Sequence, residues 1–236
     1  DQALPDPDVW NLEKCYADPR VQDIIAKGRT KGIFYIESPA QTRLNKKAQA
    51  QTFEELTITS SLVRPAGSSY CQRFVERHRK AKMGIKDWEF LHPSLEAILK
   101  DTYDVCAFQE DITKICHQIA NLSYKKADKI RKMMNSLHEG EIESDDWKQT
   151  AREFISGCMQ NKGLTFEQAK ELWERVSSFT GFSFCKSHSA SYAQLSFKCT
   201  YLKGYYPAQF LAAVISNNHG FYTRDSYLNE ARSEER

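Results

Sequence analysis

The sequence predicts a mainly α-helical protein, with at most a short strand pair near 33–36 and 104–108. Two observations carry that class. Apolar residues recur three and four apart, as in Ile112, Ile115, Cys116 and Ile119, the pattern of a helix with one buried stripe. Helix-start signals recur as well. Thr52-Phe53-Glu54-Glu55 and Thr165-Phe166-Glu167-Gln168 each place a hydroxyl three residues ahead of Glu or Gln, so that the two ends satisfy each other's backbone donors.

Taken in order, Asp8 reads as the cap of a first helix carrying Val9, Trp10 and Leu12. Arg20 to Lys27 reads as a second, closed by Gly28. Ile33 to Ile36 is the best strand candidate, although four apolar residues suit a buried linker equally well. The helix opened by Thr52 should stop near Arg64, where Pro65 removes a donor. Tyr70 to Lys82 reads as a cationic helix, and His92-Pro93-Ser94 starts one with Leu95, Ile98 and Leu99. Phe108 to Ala120 reads as amphipathic, and Ser123 caps the helix of Arg131 and Lys132. Thr165 opens a helix with Ala169, Leu172, Val176 and Phe179, and Pro207 suits the first turn of one bearing Phe210, Leu211, Val214 and Ile215. Ala66 to Ser69 and Leu137 to Ser144 are the expected soft spots. The expected division is an N-terminal segment, 1–50, and a helical domain, 51–236.

Composition narrows the class. A chain of 236 residues with 41% hydrophobic residues can bury a sizeable core, as one large or two modest domains. No apolar run approaches the ~20 residues of a membrane-spanning helix, so no membrane contact is expected, and the scattered, unpaired cysteines suit a cytoplasmic protein. The chain begins at Asp1 and stops in a charged run, so both ends read as cut. Seven scattered cysteines, none at zinc or redox spacing, read as reduced thiols, and no metal site is expected from Cys or His.

The net charge of +2 averages opposed blocks. Tyr70 to Lys86 carries Arg73, Arg77, Arg79, Lys80, Lys82 and Lys86 against Glu76 alone, a local balance of +5. Lys114 to Lys132 repeats that balance with Lys125, Lys126, Lys129, Arg131 and Lys132 against Asp128. Glu139 to Asp146 forms a compact block of −5, and Ser183 to Pro207 holds Lys186, Lys198 and Lys203 with no acid. Basic blocks interleaved with Tyr70, Phe74, Tyr124 and Tyr192 suit a nucleic-acid backbone, where cations neutralise phosphates and rings stack on bases. Arg73, Arg77, Arg79, Lys80, Lys125, Lys126 and Lys129 are therefore the candidate nucleic-acid contacts.

The most informative stretch is Gly181-Phe182-Ser183-Phe184-Cys185-Lys186-Ser187-His188-Ser189-Ala190-Ser191-Tyr192-Ala193. Its spacing puts Cys185, His188 or Ser189, Tyr192 and Ser196 on one helical face, which suits a polyanion better than a core. It resembles a signature in the fingers of the bacterial DNA polymerase III alpha subunit family. The same resemblance runs through Ile33-Phe34-Tyr35-Ile36-Glu37-Ser38, Leu62-Val63-Arg64-Pro65, Phe108-Gln109-Glu110, Ala127-Asp128-Lys129-Ile130-Arg131-Lys132 and Tyr206-Pro207-Ala208-Gln209-Phe210.

The resemblance implies a helical fingers region that positions primer-template DNA and an incoming dNTP for nucleotidyl transfer. Arg131 and Lys132 look like the triphosphate-contacting pair. Lys186, Ser187, His188 and Tyr192 look like the lining of the nucleotide and templating-base site, and a helix N-terminus near Ser187 would itself attract phosphate. Arg64 resembles the start of the family's Arg-Pro-Gly-Pro loop and joins the DNA contacts. The family's catalytic aspartates, which hold Mg2+, belong to a palm that precedes the fingers, so no catalytic residue is assigned here and the segment alone is expected to be inactive. A sliding clamp and other polymerase subunits would contact regions outside this chain. Ser183 and Cys185 stand where glycine and asparagine are usual, and Asn135-Ser136-Leu137 replaces a glycine and lysine run, which points toward the error-prone or accessory branch more than the main replicase. A freestanding nucleic-acid-binding module and a helical scaffold for acidic protein partners are the competing classes.

Overall fold

Local start and stop signals set most helix ends. The computed structural model describes residues 8–63, 68–136, 144–178, 185–217 and 220–234. Among the described residues there are thirteen α-helices and no strand. The chain divides into two compact units, one formed by Asp1–Val63 with Ser187–Arg236 and the other by Arg64–Lys186. The expected boundary at residue 50 falls inside the first. Among the described residues, no helix is long and apolar enough to cross a membrane.

The first unit opens with α1 (Leu12–Ala17) and α2 (Pro19–Ala26). Asn11, not Asp8, caps α1, accepting the Lys14 N–H, while Asp8 lies 3.9 Å from the Lys14 ammonium. Asp18 caps α2 through the N–H groups of Arg20 and Val21, and Gly28, at φ +67, closes it as expected. Residues 33–36 form turns rather than a strand: Ile33 N–H bonds Thr30 O, Ile36 N–H bonds Ile33 O, and Tyr35 sits at φ +69. Ile33 and Ile36 are fully buried, so the segment is the buried linker. Ser38 with Pro39 at the first turn starts α3 (Pro39–Ala48), and the Thr52–Glu55 capping box starts α4 (Phe53–Leu62).

From Ser187 onward the same unit continues through α11 (Lys186–Tyr205), α12 (Pro207–Asn217) and α13 (Arg224–Glu234). Val21, Ile25, Ile36, Leu56, Ala193 and Phe197 anchor its core. Hydroxyls are buried with them. Ser61 meets Ser189 at 2.6 Å, and the Ser196 hydroxyl lies 2.9 Å from Phe34 O and 2.8 Å from Tyr192 O. Ser189 and Ser196 therefore belong to the core and not to a polyanion-facing stripe. Small hydroxyl side chains let helices approach closely, and carbonyl acceptors offset the loss of water. Lys203 is likewise internal, donating to Arg29 O, Lys31 O and the Glu230 carboxylate.

The second unit contains α5 (Ser68–Lys82), α6 (Glu96–Leu99), α7 (Gln109–Lys114), α8 (Tyr124–Ser136), α9 (Asp145–Lys162) and α10 (Phe166–Ser177). The amphipathic stretch predicted over Phe108 to Ala120 is α7 continued by a π-helical turn at Ile115–Ile119. Ser123 and the Thr165–Gln168 box cap α8 and α10 as expected. Residues 104–108 form no strand either. Ile112, Ile115, Ile119, Phe154, Leu172 and Val176 centre the core, with Trp173 packed on Trp147 and Phe154 at ring distances of 5.0 and 5.2 Å. Gly157 of α9 lies so close to the Ala120 carbonyl that a Cβ there would overlap it. All seven cysteines are free thiols, and burial pushes Cys116 and Cys158 up to about 12.

Candidate nucleotide and nucleic-acid interface

In the unit Arg64–Lys186, the N-terminus of α7 gathers two candidate nucleotide contacts. Its preceding loop is fixed by Asp111, whose Oδ2 accepts the N–H groups of Ala107 and Phe108 at 3.0 and 2.9 Å. Burial raises the Asp111 carboxyl to about 6, against the pull of those two bonds. The three residues held there each meet a predicted site residue. Phe108 presents its ring to the Lys186 ammonium at 5.5 Å. Gln109 Oε1 lies 3.5 Å from Arg131 Nη1. Glu110 accepts the Lys186 backbone N–H at 3.0 and 3.1 Å. The first N–H of α11 is thus held by a carboxylate.

Arg131 and Lys132 lie on α8 and share an acid. Asp128 Oδ1 accepts Arg131 Nε and Nη2 at 3.0 and 2.7 Å, while its Oδ2 pairs with the Lys132 ammonium at 2.8 Å. Hydrogen bonds from Lys132 and then Arg131 hold the Asp128 carboxyl below its usual range. Arg131 is half-buried and Lys132 exposed.

Ser187, His188 and Tyr192 belong to the other unit. Ser187 is exposed, and His188 and Tyr192 are half-buried in a cluster of rings. Tyr192 meets His188 at 4.2 Å, Tyr35 at 4.9 Å and Phe34 at 5.2 Å between ring centres. Tyr35 adopts a left-handed backbone that costs a bulky residue about 1–3 kcal/mol, and its buried hydroxyl has no hydrogen-bond partner. Sequence reasoning flagged Ile33 to Ile36 without assigning Phe34 or Tyr35 to this cluster, because only the fold brings residues so distant in sequence together.

The candidate DNA contacts separate into three kinds. Arg77 is internal: its Nη1 donates to Tyr103 O at 2.8 Å and lies 3.3 Å from the buried Asp104 carboxylate, which Arg175 also binds at 2.8 Å. Arg77, half-buried, is thus already paired with a buried carboxylate within the fold. Lys80 pairs with Glu76 and Asp87, Lys126 with Glu153 and Lys129 with Asp146, all at the surface. Such exposed pairs are weak enough for phosphate to replace. Arg73, Arg79 and Lys125 have no internal partner among the described residues, and Arg79 and Lys125 are exposed. Arg64 lies outside the described residues, as do Glu139, Glu141 and Glu143.

Residues 7–162 match the family described as the bacterial DNA polymerase III alpha subunit finger domain. The chain belongs to that family. The DNA polymerase III subunit alpha of Campylobacter jejuni is 35% identical over 202 residues, which is 85% of this chain and 16% of the relative. Its counterparts in Aquifex aeolicus and Caulobacter vibrioides are 32% and 34% identical, covering 89% and 85% of this chain. The finger domain spans 16 to 17% of the length of these curated relatives. Among its described residues, no group of three or more His, Cys, Asp or Glu is arranged to hold a metal ion.

Proposed function

We propose that this finger domain positions primer-template DNA and an incoming dNTP for nucleotidyl transfer in a longer DNA polymerase. The observation that carries the reading is the convergence of Arg131 and Lys186 on Phe108-Gln109-Glu110. Arginine offers a planar fork to two phosphate oxygens and lysine a compact charge, the two forms of charge a triphosphate needs neutralised. Taken by itself, the other unit presents the rings of Tyr192, His188, Phe34 and Tyr35, which suit stacking on an exposed base. Arg73, Arg79 and Lys125, with the exchangeable lysines 80, 126 and 129, supply contacts to the DNA backbone.

Nucleotidyl transfer also needs metal ions at the attacking and leaving oxygens. In this proposal Mg2+ is held by palm carboxylates outside these 236 residues, and the finger domain alone is inactive. The intact protein works in the cytoplasm, in replication or error-prone repair synthesis, with a sliding clamp and other subunits contacting its other regions.

Single-nucleotide incorporation by the longer polymerase tests the reading. Arg131→Ala is expected to cost about 1.5–3 kcal/mol of charge-assisted hydrogen bonding, a fall in kcat/KM for dNTP of about 10- to 150-fold. Unchanged kinetics would remove Arg131 from the site.

A further inference from the structure

We infer that Asp128 is a resident competitor for the polyphosphate: its carboxylate occupies the faces of Arg131 and Lys132 that phosphate oxygens would take. It thereby sets how tightly the finger domain holds a triphosphate. The inference rests on the nucleotide-site reading above and adds the group that the ligand must displace.

The geometry is that of an anion already bound. One oxygen of Asp128 takes the Nε and Nη2 edge of Arg131, at 3.0 and 2.7 Å, and the other takes Lys132 at 2.8 Å. Two oxygens on one atom, spanning two cations, is also what a phosphate group presents. Asp128 is the lone acid between Lys114 and Lys132, so it cancels a definite share of the charge available there.

Displacement is easy for a physical reason. The side chains of Asp128 and Lys132 are 44% and 69% exposed, and both pairs are short-range contacts along one helix. Exposed pairs of this kind contribute little, because water and salt compete for both charges. Gln109 Oε1 approaches Arg131 from another direction, at Nη1. When Asp128 lets go, that contact keeps the fork directed toward the N-terminus of α7. A buried carboxyl that accepts two backbone N–H groups, such as Asp111, could not exchange in this way.

Inorganic tripolyphosphate titrated calorimetrically into the longer polymerase tests the inference, using wild type, Asp128→Asn, Asp128→Ala and Arg131→Ala at two salt concentrations. Arg131→Ala should weaken binding. Both Asp128 variants should bind about two- to five-fold tighter and lose affinity more steeply with salt. If the Asp128 variants bind no tighter while Arg131→Ala still weakens binding, the competitor role is overturned and the site reading stands. If Arg131→Ala binds like wild type, or no protein binds tripolyphosphate, both readings fall. Thermal melting of the two Asp128 variants separates any loss of fold from loss of binding, and one folded variant suffices.

Discussion

Gly157→Ala tests how the second unit is held together. In an open helix the change would stabilise by about 1 kcal/mol, because glycine loses more backbone freedom on folding. At this position a Cβ would overlap the carbonyl oxygen of Ala120, a backbone atom that can yield only by moving its loop. The same turn is tied to α9 by Asn161, whose Nδ2 donates to Gln118 O and Ile119 O at 2.9 and 3.0 Å. Overpacking costs about 1–3 kcal/mol, and loosening either Asn161 bond adds about 1 kcal/mol. Repulsion therefore outweighs the helix-propensity gain, and the net loss should be about 1–3 kcal/mol. For a protein of this size that lowers the melting temperature by roughly 3–10 °C. Circular dichroism melts of both proteins give the answer. A variant as stable as wild type, or more so, would show that α9 is not pressed against the turn that ends the α7 segment.

Two further outcomes follow from buried and exposed charge. Because burial raises the Asp111 carboxyl to about 6, the native state retains a proton that the unfolded chain has released between about pH 4 and pH 6. The contribution of Asp111 to stability is thus greatest below that window and falls as pH rises through it, by roughly 3 kcal/mol. Asp111→Asn should flatten that slope in denaturant titrations, and a curve parallel to wild type would contradict the assignment. Arg79→Ala should weaken primer-template binding and reduce its salt slope by about 1, without lowering the melting temperature. Arg77→Ala should do the opposite, costing about 2–3 kcal/mol of stability because Asp104 keeps only Arg175. Interchanged effects would refute the separation of these two arginines.

The sequence made the helices legible wherever the signal was local. Thr52 with Glu55, Thr165 with Gln168, and Ser123 ahead of Lys126 all act within one turn, and each cap forms. Asp8 misled because Asn11, three residues later, offers the same chemistry closer to the first helical turn. Ile33 to Ile36 carries strand-forming residues, but the N–H groups of Ile33 and Ile36 close turns and Phe34 O accepts from Ser196. Charge was harder to place than helix. Arg77 and Lys203 read as surface cations until Asp104 and Glu230, both 27 residues downstream, draw them inside. Ser189 and Ser196 read as polar surface because hydroxyls are equally able to line a close helix contact. The motif residues Phe108, Gln109 and Glu110 were visible in sequence, whereas their meeting with Arg131 and Lys186 depends on the fold.

A double-mutant cycle on Arg131 and Lys186 tests the central claim most directly, read as kcat/KM for dNTP in the longer polymerase. If both cations act on one triphosphate at the start of α7, each alanine variant loses activity. The double variant then loses less than the product of the two, with a coupling of about 1 kcal/mol or more. Losses that multiply independently, or a single variant with no loss, would contradict a shared site.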